Sequence, residues 1–197
     1  MKLLRVTCSL LMLGLALASF AFVAVRPARA DGLNPPPPPG STCQTTGSGT
    51  ICRIRLDTTF SNLSVFTCGS GENLFDVDEN GTTHREYSYF YDRDGNLTKR
   101  ILHVFPLAGT FSNALTGKFV LESAQFTITV TLLTPGDFST AQYAFTGLYA
   151  KVILPSGGII LLDAGAIVYD PDGNISLEGG KHQYIDSQVD QLCAALS

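Results

Sequence analysis

The sequence lacks the features that mark most recognisable classes of binding protein and enzyme. It has no tryptophan, and its three histidines (His84, His103 and His182) are scattered along the chain. It also has no cluster of Lys and Arg, which a nucleic-acid partner would require to displace counterions from phosphates. The same lack argues against binding to an anionic membrane surface. We therefore predict neither nucleic acid nor, once an N-terminal signal is removed, a membrane as partner.

Motifs for catalysis and cofactor binding are absent as well. The chain has no G-x-S-x-G, H-E-x-x-H, P-loop or G-x-G-x-x-G pattern, and no Cys-x-x-Cys spacing for zinc. We therefore predict no cofactor and favour a protein that is not an enzyme. Because catalytic triads are assembled in space rather than in sequence, an enzyme remains the alternative.

Residues 1–30 have the pattern of a secretory signal peptide. Lys2 and Arg5 precede a long apolar stretch, and Ala28-Arg29-Ala30 fits a small-x-small cleavage site. The stretch approaches the ~20 residues that span a bilayer, so an uncleaved N-terminal anchor, with the protein facing outside, is the alternative. Removing the four basic residues of this segment lowers the formal net charge from −4 to −8.

Two further regions follow the predicted signal. Residues 31–42 form a proline-rich spacer, which we expect to be a solvated N-terminal arm, with a stalk or docking ligand as the alternative. Residues 43–197 are long enough for one domain with its own core. Nothing in the sequence indicates the oligomeric state.

Four cysteines, Cys43, Cys52, Cys68 and Cys193, remain after the predicted signal. An even number in an exported chain is typical of disulfides. Cys43 and Cys52 flank a short glycine-bearing loop that can bring them together, which leaves Cys68 to pair with Cys193. The second disulfide would tie the C-terminus to the early strands.

Residues 86–106 carry the strongest strand signal. Tyr87, Tyr89 and Tyr91 alternate with other residues and so share one face of a strand. Residues 92–96 supply a turn in which Gly95 can take a positive φ, and a second alternating run follows. This pattern predicts a β-hairpin. The same Tyr-Asp-x-Asp-Gly-Asn turn recurs at residues 169–174, which we interpret as one turn used twice rather than as an internal repeat.

The rest of the chain is also rich in strand patterns. Residues 124–132 alternate strictly between apolar and polar side chains, which predicts a half-buried antiparallel strand. Only the C-terminus has helical spacing, at Val189, Leu192 and Leu196, with Ser187 placed to cap it. We predict an all-β domain of about eight to ten strands, an antiparallel β-barrel with a short C-terminal helix, because closure removes exposed edges. A β-sandwich is the alternative.

The row of Tyr87, Tyr89 and Tyr91 is the main candidate ligand-binding site. Facing a barrel interior, the row and the neighbouring strand residue His103 would offer apolar walls and polar groups to a ligand. The alternative for these residues is ordinary packing, which the pattern favours.

A calcium loop is the alternative for Asp76, Asp78 and Asn80. Such a loop requires a bidentate Glu six places after its glycine, where this chain has Tyr87. We therefore favour a plain turn there, as at residues 92–96 and 170–174, and predict no metal.

Four segments resemble parts of uncharacterised secreted proteins of actinomycete-type bacteria. They are Tyr-Asp-Arg-Asp-Gly-Asn-Leu (91–97), Phe-Ser-Asn-Ala-Leu-Thr-Gly-Lys (111–118), Thr-Pro-Gly-Asp-Phe-Ser (134–139) and Leu-Cys-Ala-Ala-Leu (192–196). The resemblance implies export and a β-rich fold, and it carries over no functional residue. The order of hairpin, Asn-x-x-Thr-Gly-Lys and Thr-rich strand is also loosely similar to small-ligand barrels of the lipocalin or allene-oxide-cyclase kind, a likeness that cannot assign function.

These observations predict a secreted protein that binds a small, largely apolar molecule or acts as a non-enzymatic cell-envelope module. One alternative is a barrel-interior isomerase or cyclase that uses a tyrosine or His103 as acid or base. Another is an extracellular protein-interaction domain held on the proline-rich arm. A ligand-sized cavity lined by the tyrosines would favour the first two, and an exposed aromatic patch over a packed interior would favour the third.

Overall fold

A computed structural model describes residues 32–183 and 189–197. The predicted signal peptide and the predicted cap Ser187 therefore lie outside the described residues. Two single-turn 3-10 helices, Gly71–Asn73 and Phe138–Thr140, lie in connections between strands. The other elements are β1 (Thr42–Thr46), β2 (Gly49–Cys68), β3 (Phe75–Tyr91), β4 (Leu97–Asn113), β5 (Phe119–Leu132), β6 (Ala141–Ile153), β7 (Ile159–Tyr169), β8 (Ile175–His182) and the helix α1 (Asp190–Leu196).

All eight strands form one antiparallel sheet in which each strand pairs with its neighbour in sequence. The predictions of an all-β fold, of about eight strands and of a short C-terminal helix are therefore confirmed. The sheet is not closed into a barrel. Within the described residues, β8 pairs only with β7, and β1 covers only residues 49–53 of β2. A long edge of β2 and the outer edge of β8 therefore carry no paired strand in this part of the chain.

The repeated turn has the same hydrogen bonds in both copies. Asp92 Oδ1 accepts from the backbone N–H groups of Asp94 and Asn96, at 3.0 and 2.8 Å. Asp170 Oδ1 accepts from Asp172 and Asn174 at the same two distances. These are turns in which an Asp side chain replaces a backbone acceptor, so the sequence motif is explained by local turn chemistry.

The sheet curves strongly around α1. Cys193 of the helix is disulfide-bonded to Cys68 at the end of β2, and the helix also contacts β5 and β7. In a flat sheet β2 and β7 would lie about 24 Å apart, whereas a seven-residue helix is only about 10 Å long. We call the sheet face that packs on α1 the inner face and the opposite face the outer face.

Apolar side chains on the inner face form two separate clusters. The helix-end cluster contains Cys68, Phe75, Val77, Phe111, Val120, Ala150, Val152, Leu161, Leu192 and Leu196. The turn-end cluster contains Cys52, Tyr91, Leu97, Val130, Leu132 and Ala141. The alternation predicted for residues 124–132 is confirmed, because Ala124, Val130 and Leu132 are buried while Gln125 on the other face is exposed. The stretch of inner face between the clusters carries the candidate site.

Both predicted disulfides are present. Cys43 pairs with Cys52 across the β1–β2 turn, and Cys68 pairs with Cys193 over a separation of 125 residues. Disulfides persist in oxidising compartments, so the pairing is typical of a protein that works outside the cytoplasm. Among the described residues, no helix has the length and apolar character needed to cross a membrane.

We expected the proline-rich spacer to be a solvated arm. Instead, its first described residues contact the β domain. The backbone of Asn34 bonds to Gly95 and Leu97, at 2.8 and 2.9 Å, and Leu33 packs against the turn-end cluster. The hydroxyl of Tyr91 donates to the carbonyl of Pro35 at 3.0 Å. The chain therefore docks before β1 begins, because Leu33 covers apolar surface of the turn-end cluster and Asn34 pairs with the backbone beside the turn at residues 92–96.

Tyr91→Phe should loosen this docked segment with little effect on the sheet. The change removes only the hydroxyl that donates to Pro35. We expect a loss of about 1 kcal/mol in the free energy of unfolding. Amide exchange of Leu97, which donates to Asn34, should accelerate more than that of the central strands. Unchanged exchange at Leu97 would show that the arm is held without this bond.

Candidate functional site

The three predicted tyrosines share the inner face, but they differ in surroundings. The rings of Tyr87 and Tyr89 stack with centroids 6.3 Å apart, and both side chains are half-buried. Tyr91 is only 4% exposed and belongs to the turn-end cluster, where burial raises its pKa to about 12. Tyr91 therefore has a packing role, while Tyr87 and Tyr89 present aromatic surface to the space between the clusters.

His103 lies on the outer face, away from the tyrosines. It is exposed, and its Nδ1 is 2.8 Å from Oγ1 of Thr127. It lines a surface groove of about 420 Å³ together with Phe105 and Gln125. The structure thus brings Tyr87 and Tyr89 together and separates His103 from them, because adjacent strand residues point to opposite faces and His103 is out of phase with Leu102, the partner of Tyr87.

The two aspartates of the possible calcium loop already accept hydrogen bonds from side-chain and backbone donors. Asp76 accepts hydrogen bonds from the hydroxyls of Ser64 and Thr67, and Asp78 accepts one from the backbone N–H of Ser64. Asn80 is exposed on β3, within the strand rather than in a turn. No group of three potential metal-ligating side chains occurs in the described part of the chain.

A pair of carboxyl groups lies on the inner face beside the helix-end cluster. Glu122 on β5 is 9% exposed, and its Oε2 has no hydrogen-bond partner. Burial, and next the negative charge of Glu79 on β3, raise the pKa of Glu122 to about 8. Glu79 is half-buried and accepts from Nδ2 of Asn62 at 3.0 Å. Glu122 therefore keeps its proton at neutral pH.

Two glycines lie in the same row of the sheet as Glu122. The register aligns Phe60, Gly81, Gly109 and Glu122 in one row across β2 to β5. A Cβ atom on Gly81 would lie 2.9 Å from Cζ of Phe60, and one on Gly109 would lie 3.4 Å from Oε2 of Glu122. The ring of Phe60 and the carboxyl group of Glu122 therefore pack over the two glycines, in the space that larger side chains would take.

Thr83 lies on the same face of β3 as Gly81, two residues further along the strand. It is 1% exposed, and its hydroxyl has no hydrogen-bond partner. A buried polar atom without a partner costs about 1–3 kcal/mol, so native proteins rarely retain one without a use. Both such atoms found among the described residues belong to inner-face side chains, Thr83 on β3 and Glu122 on β5.

A second buried pair joins Asp163 on β7 to His182 on β8. His182 Nδ1 lies 3.1 Å from Asp163 Oδ1, and Nε2 lies 3.2 Å from the carbonyl oxygen of Gly179. Both ring nitrogens face acceptors, which is the environment of a charged imidazolium. Desolvation lowers the pKa of His182, but the bonds to Asp163 and Gly179 outweigh it and raise that pKa above 6.5.

An NMR titration of the histidine ring protons should therefore give a pKa above 6.5 for His182. Because the folded-state pKa is raised, the pair stabilises the protein below pH 6.5, and this stabilisation is lost as the pH rises through the folded-state value. Asp163→Asn should lower the pKa, since it removes the negative partner. A value below 6.5 in the unchanged protein would contradict the imidazolium assignment.

Aromatic rings lie beside the Asp163–His182 pair on the inner face. The ring of Tyr149 lies 4.8 Å from that of Phe126 and 6.2 Å from that of Phe145. Phe145 in turn contacts Tyr169 at 5.9 Å. Tyr149, Phe126 and Phe145 also line a crevice of about 10 Å³ with Asp163 and His182, room for no more than one water. Chemically, the site combines aromatic surface, a buried carboxyl group with a raised pKa and a hydrogen-bonded Asp–His pair.

The two-residue alternation of the strands marks two residues that the sequence-based prediction of the site did not include. Glu122 is in phase with the apolar residues of the 124–132 alternation, and Asp163 is in phase with Leu161 and Ile167. An acidic residue on the apolar side of a strand is costly to bury, so its phase alone marks it for attention. No such pattern identifies Thr83, whose burial depends on the strands around it.

In comparisons with protein families, with curated proteins and with solved structures, the chain has no significant match. The resemblance to actinomycete-type secreted proteins therefore stays a prediction.

Proposed function

We propose that the protein is exported and binds a small, largely apolar molecule on the inner face of its curved sheet. The observation that carries the proposal is the interruption of the core. Two apolar clusters occupy the ends of the inner face, and the surface between them is aromatic and polar, with buried oxygens that lack partners. A face built for packing alone would be apolar throughout.

The half-buried rings of Tyr87 and Tyr89 supply the apolar contact in this proposal. Burial raises the pKa of Tyr89, so its hydroxyl stays neutral at physiological pH and can hydrogen-bond a ligand. Arg100 is the cross-strand neighbour of Tyr89 and adds a cationic donor. Aromatic surface with few polar groups is typical of small-molecule sites.

In this proposal the sheet acts as an incompletely closed barrel rather than as a sandwich. The support is its unbroken sequence order, β1 to β8, and its curvature around α1. Ligand would reach the inner face between the free edges of β2 and β8. All residues of β8 except His182 are exposed, so neither of its faces is covered by the described chain.

Native mass spectrometry of the protein purified from its own host tests the proposal. We expect a co-purified small molecule and a chain that begins at Asp31. Tyr89→Ala should weaken rebinding of that molecule about tenfold or more, because it removes buried aromatic contact. Phe90→Ala is the matched control, since Phe90 is the next residue of β3 and lies on the outer face under Lys99. Host protein that carries no small molecule and binds none from a host extract would refute the proposal.

One observation favours an enzyme of the isomerase or cyclase type as a second candidate. Glu122 is a buried carboxylic acid with a raised pKa, a property often found in general acids. In this second candidate function, Glu122 takes the role of acid that the sequence analysis gave to His103. Conversion of the co-purified molecule to an isomer by the unchanged protein, and loss of conversion in Glu122→Gln, would support catalysis. Recovery of the molecule unchanged after long incubation would show that the protein binds the molecule without converting it.

A further inference from the structure

We propose that the groove on the outer face of the sheet, which His103 lines, binds a neutral oligosaccharide. We call this groove the outer groove. The inference goes beyond the proposed function and does not depend on it, because the apolar ligand of that proposal lies on the opposite face of the sheet.

The size and openness of the outer groove suit a polar ligand. The groove runs over β4, β5 and β6 and has a volume of about 420 Å³, within the roughly 300–1,000 Å³ of small-molecule sites. Its polar and aromatic lining residues are His103, Phe105, Gln125, Thr127 and Thr146. Because the groove is open to solvent along one side, a ligand keeps part of its surface in water. A molecule rich in hydroxyl groups tolerates this, whereas an apolar molecule gains its affinity by leaving water.

Polar side chains extend the outer groove toward β2. The register aligns five of them in one row across β2 to β6: Arg55, Glu86, His103, Thr127 and Thr146. Four inter-strand spacings make this row roughly 19 Å long, which is enough for a chain of sugar rings. Arg55 and Glu86 carry opposite charges and are direct cross-strand neighbours, so this end of the row matches a neutral ligand better than a charged one.

The lining groups offer the donors and acceptors that sugar hydroxyls need. The exposed amide of Gln125 carries an N–H donor and a carbonyl acceptor side by side, an arrangement that matches two adjacent hydroxyl groups. His103 Nδ1 lies 2.8 Å from Oγ1 of Thr127, a contact that orients the imidazole while its other nitrogen, Nε2, can bond a ligand. Thr146 is the cross-strand partner of Thr127 and adds a second hydroxyl.

The ring of Phe105 supplies apolar surface for the C–H face of a sugar. The ring is half-buried and lines the groove, and the guanidinium carbon of Arg55 lies 5.6 Å from its centroid. A cation over an aromatic face attracts the ring and restrains it. The groove therefore combines one restrained aromatic ring with several hydrogen-bonding groups, which is the composition that a ligand with both C–H and hydroxyl surfaces requires.

Irregular strand pairing explains why the convex side of the sheet has a groove. The pairing of β4 with β5 shifts between Val104 and Leu107, and that of β5 with β6 shifts between Ser123 and Gln125. Phe105 therefore lies within one irregularity and Gln125 at the end of the other. Bulges bend strands, re-aim side chains and are frequent beside active sites. Here they occur at two of the side chains that line the groove.

A glycan array, probed with the protein that has both disulfides formed, is the first test. We expect one or more neutral oligosaccharides to bind, and the tightest binder then serves as the probe in an NMR titration. Backbone amides of Gln125, Thr127 and Thr146 should shift on titration, while that of Tyr89 in the inner-face site should not. A carboxylated or sulfated form of the same glycan should bind no more tightly than the neutral form.

Matched variants then locate the site. Thr127→Ala should weaken binding of the probe about fivefold and Gln125→Ala about tenfold, because each loses hydrogen bonds to the glycan. Thr131→Ala is the control, since Thr131 lies on the same face of β5, is half-buried like Thr127, and pairs with Lys99 outside the groove. The control should bind the probe as the unchanged protein does.

The outcomes separate the inference from the proposed function. The absence of any bound glycan on the array, or equal losses in Thr127→Ala and Thr131→Ala, would overturn the inference and leave the apolar site of the inner face intact. Tighter binding of the charged glycan would overturn the assignment of a neutral ligand. Shifts confined to amides around Tyr89 would overturn the outer site and show that the inner face takes a sugar instead of an apolar molecule.

Discussion

Replacement of Cys68 and Cys193 by serine is expected to lower the free energy of unfolding by about 5 kcal/mol. The disulfide closes a loop with a sequence separation of 125 residues, nearly the whole folded chain. In the chain-entropy model, the stabilisation grows with the logarithm of the loop length, because the crosslink restricts the unfolded state. A loss of this size is comparable to the entire stability of many small domains.

Cys43 and Cys52 provide the matched control. Their separation is only 9 residues, so the same model gives about 2–3 kcal/mol for the loss of this disulfide. Urea unfolding of both double-serine variants, followed by far-ultraviolet circular dichroism, compares the two. If the Cys68/Cys193 variant does not fold in water, its midpoint can be measured in a stabilising osmolyte beside that of the control. An equal or smaller loss than in the control would refute the entropic account.

Local features of this fold could be predicted from the sequence because their causes are local. The turn at residues 92–96 depends on the Asp92 carboxylate and on a glycine with φ of 84°, both of which are visible in the motif. The alternation of residues 124–132 depends only on the two-residue period of a strand. The short spacing of Cys43 and Cys52 was enough to predict the pairing of all four cysteines.

Closure of the sheet depends on non-local irregularities that composition does not reveal. The pairing of β3 with β4 shifts between Thr83 and Arg85, and that of β4 with β5 shifts between Val104 and Leu107. Such bulges bend and twist a sheet locally. The combined bending at these bulges affects whether β8 comes back to pair with β2. For this reason the strand pattern could favour a barrel without establishing that the sheet closes.

The candidate site also combines features that local sequence patterns predict with features that depend on residues far apart in sequence. The shared face of Tyr87 and Tyr89 follows from alternation, but the packing role of Tyr91 depends on the docked arm through Pro35. The pair of Glu79 and Glu122 comes from two strands that are separated in the sheet by β4. Phase could place Glu122 on the apolar side, but only the register of three strands brings Glu79 to it.

The stability of the protein should fall by about 4 kcal/mol between pH 5 and pH 9 because of Glu122 alone. Its pKa rises from 4.5 in the unfolded reference to about 8 in the folded protein. A raised folded-state pKa means that the folded state binds the proton more tightly. The stabilisation is therefore complete below pH 4.5 and is lost as the pH rises through about 8.

Glu122→Gln removes this dependence while keeping the shape of the side chain. The difference between the unchanged protein and the variant isolates Glu122, because His182 loses stabilisation in the same direction in both. Glu79→Gln should retain most of the effect, since burial is the larger cause of the raised pKa and the charge of Glu79 the smaller. Urea unfolding from pH 5 to pH 9 measures all three proteins. Parallel pH profiles for the unchanged protein and Glu122→Gln would show that the pKa of Glu122 is not raised in the folded state, and the argument for Glu122 as a general acid would then be lost.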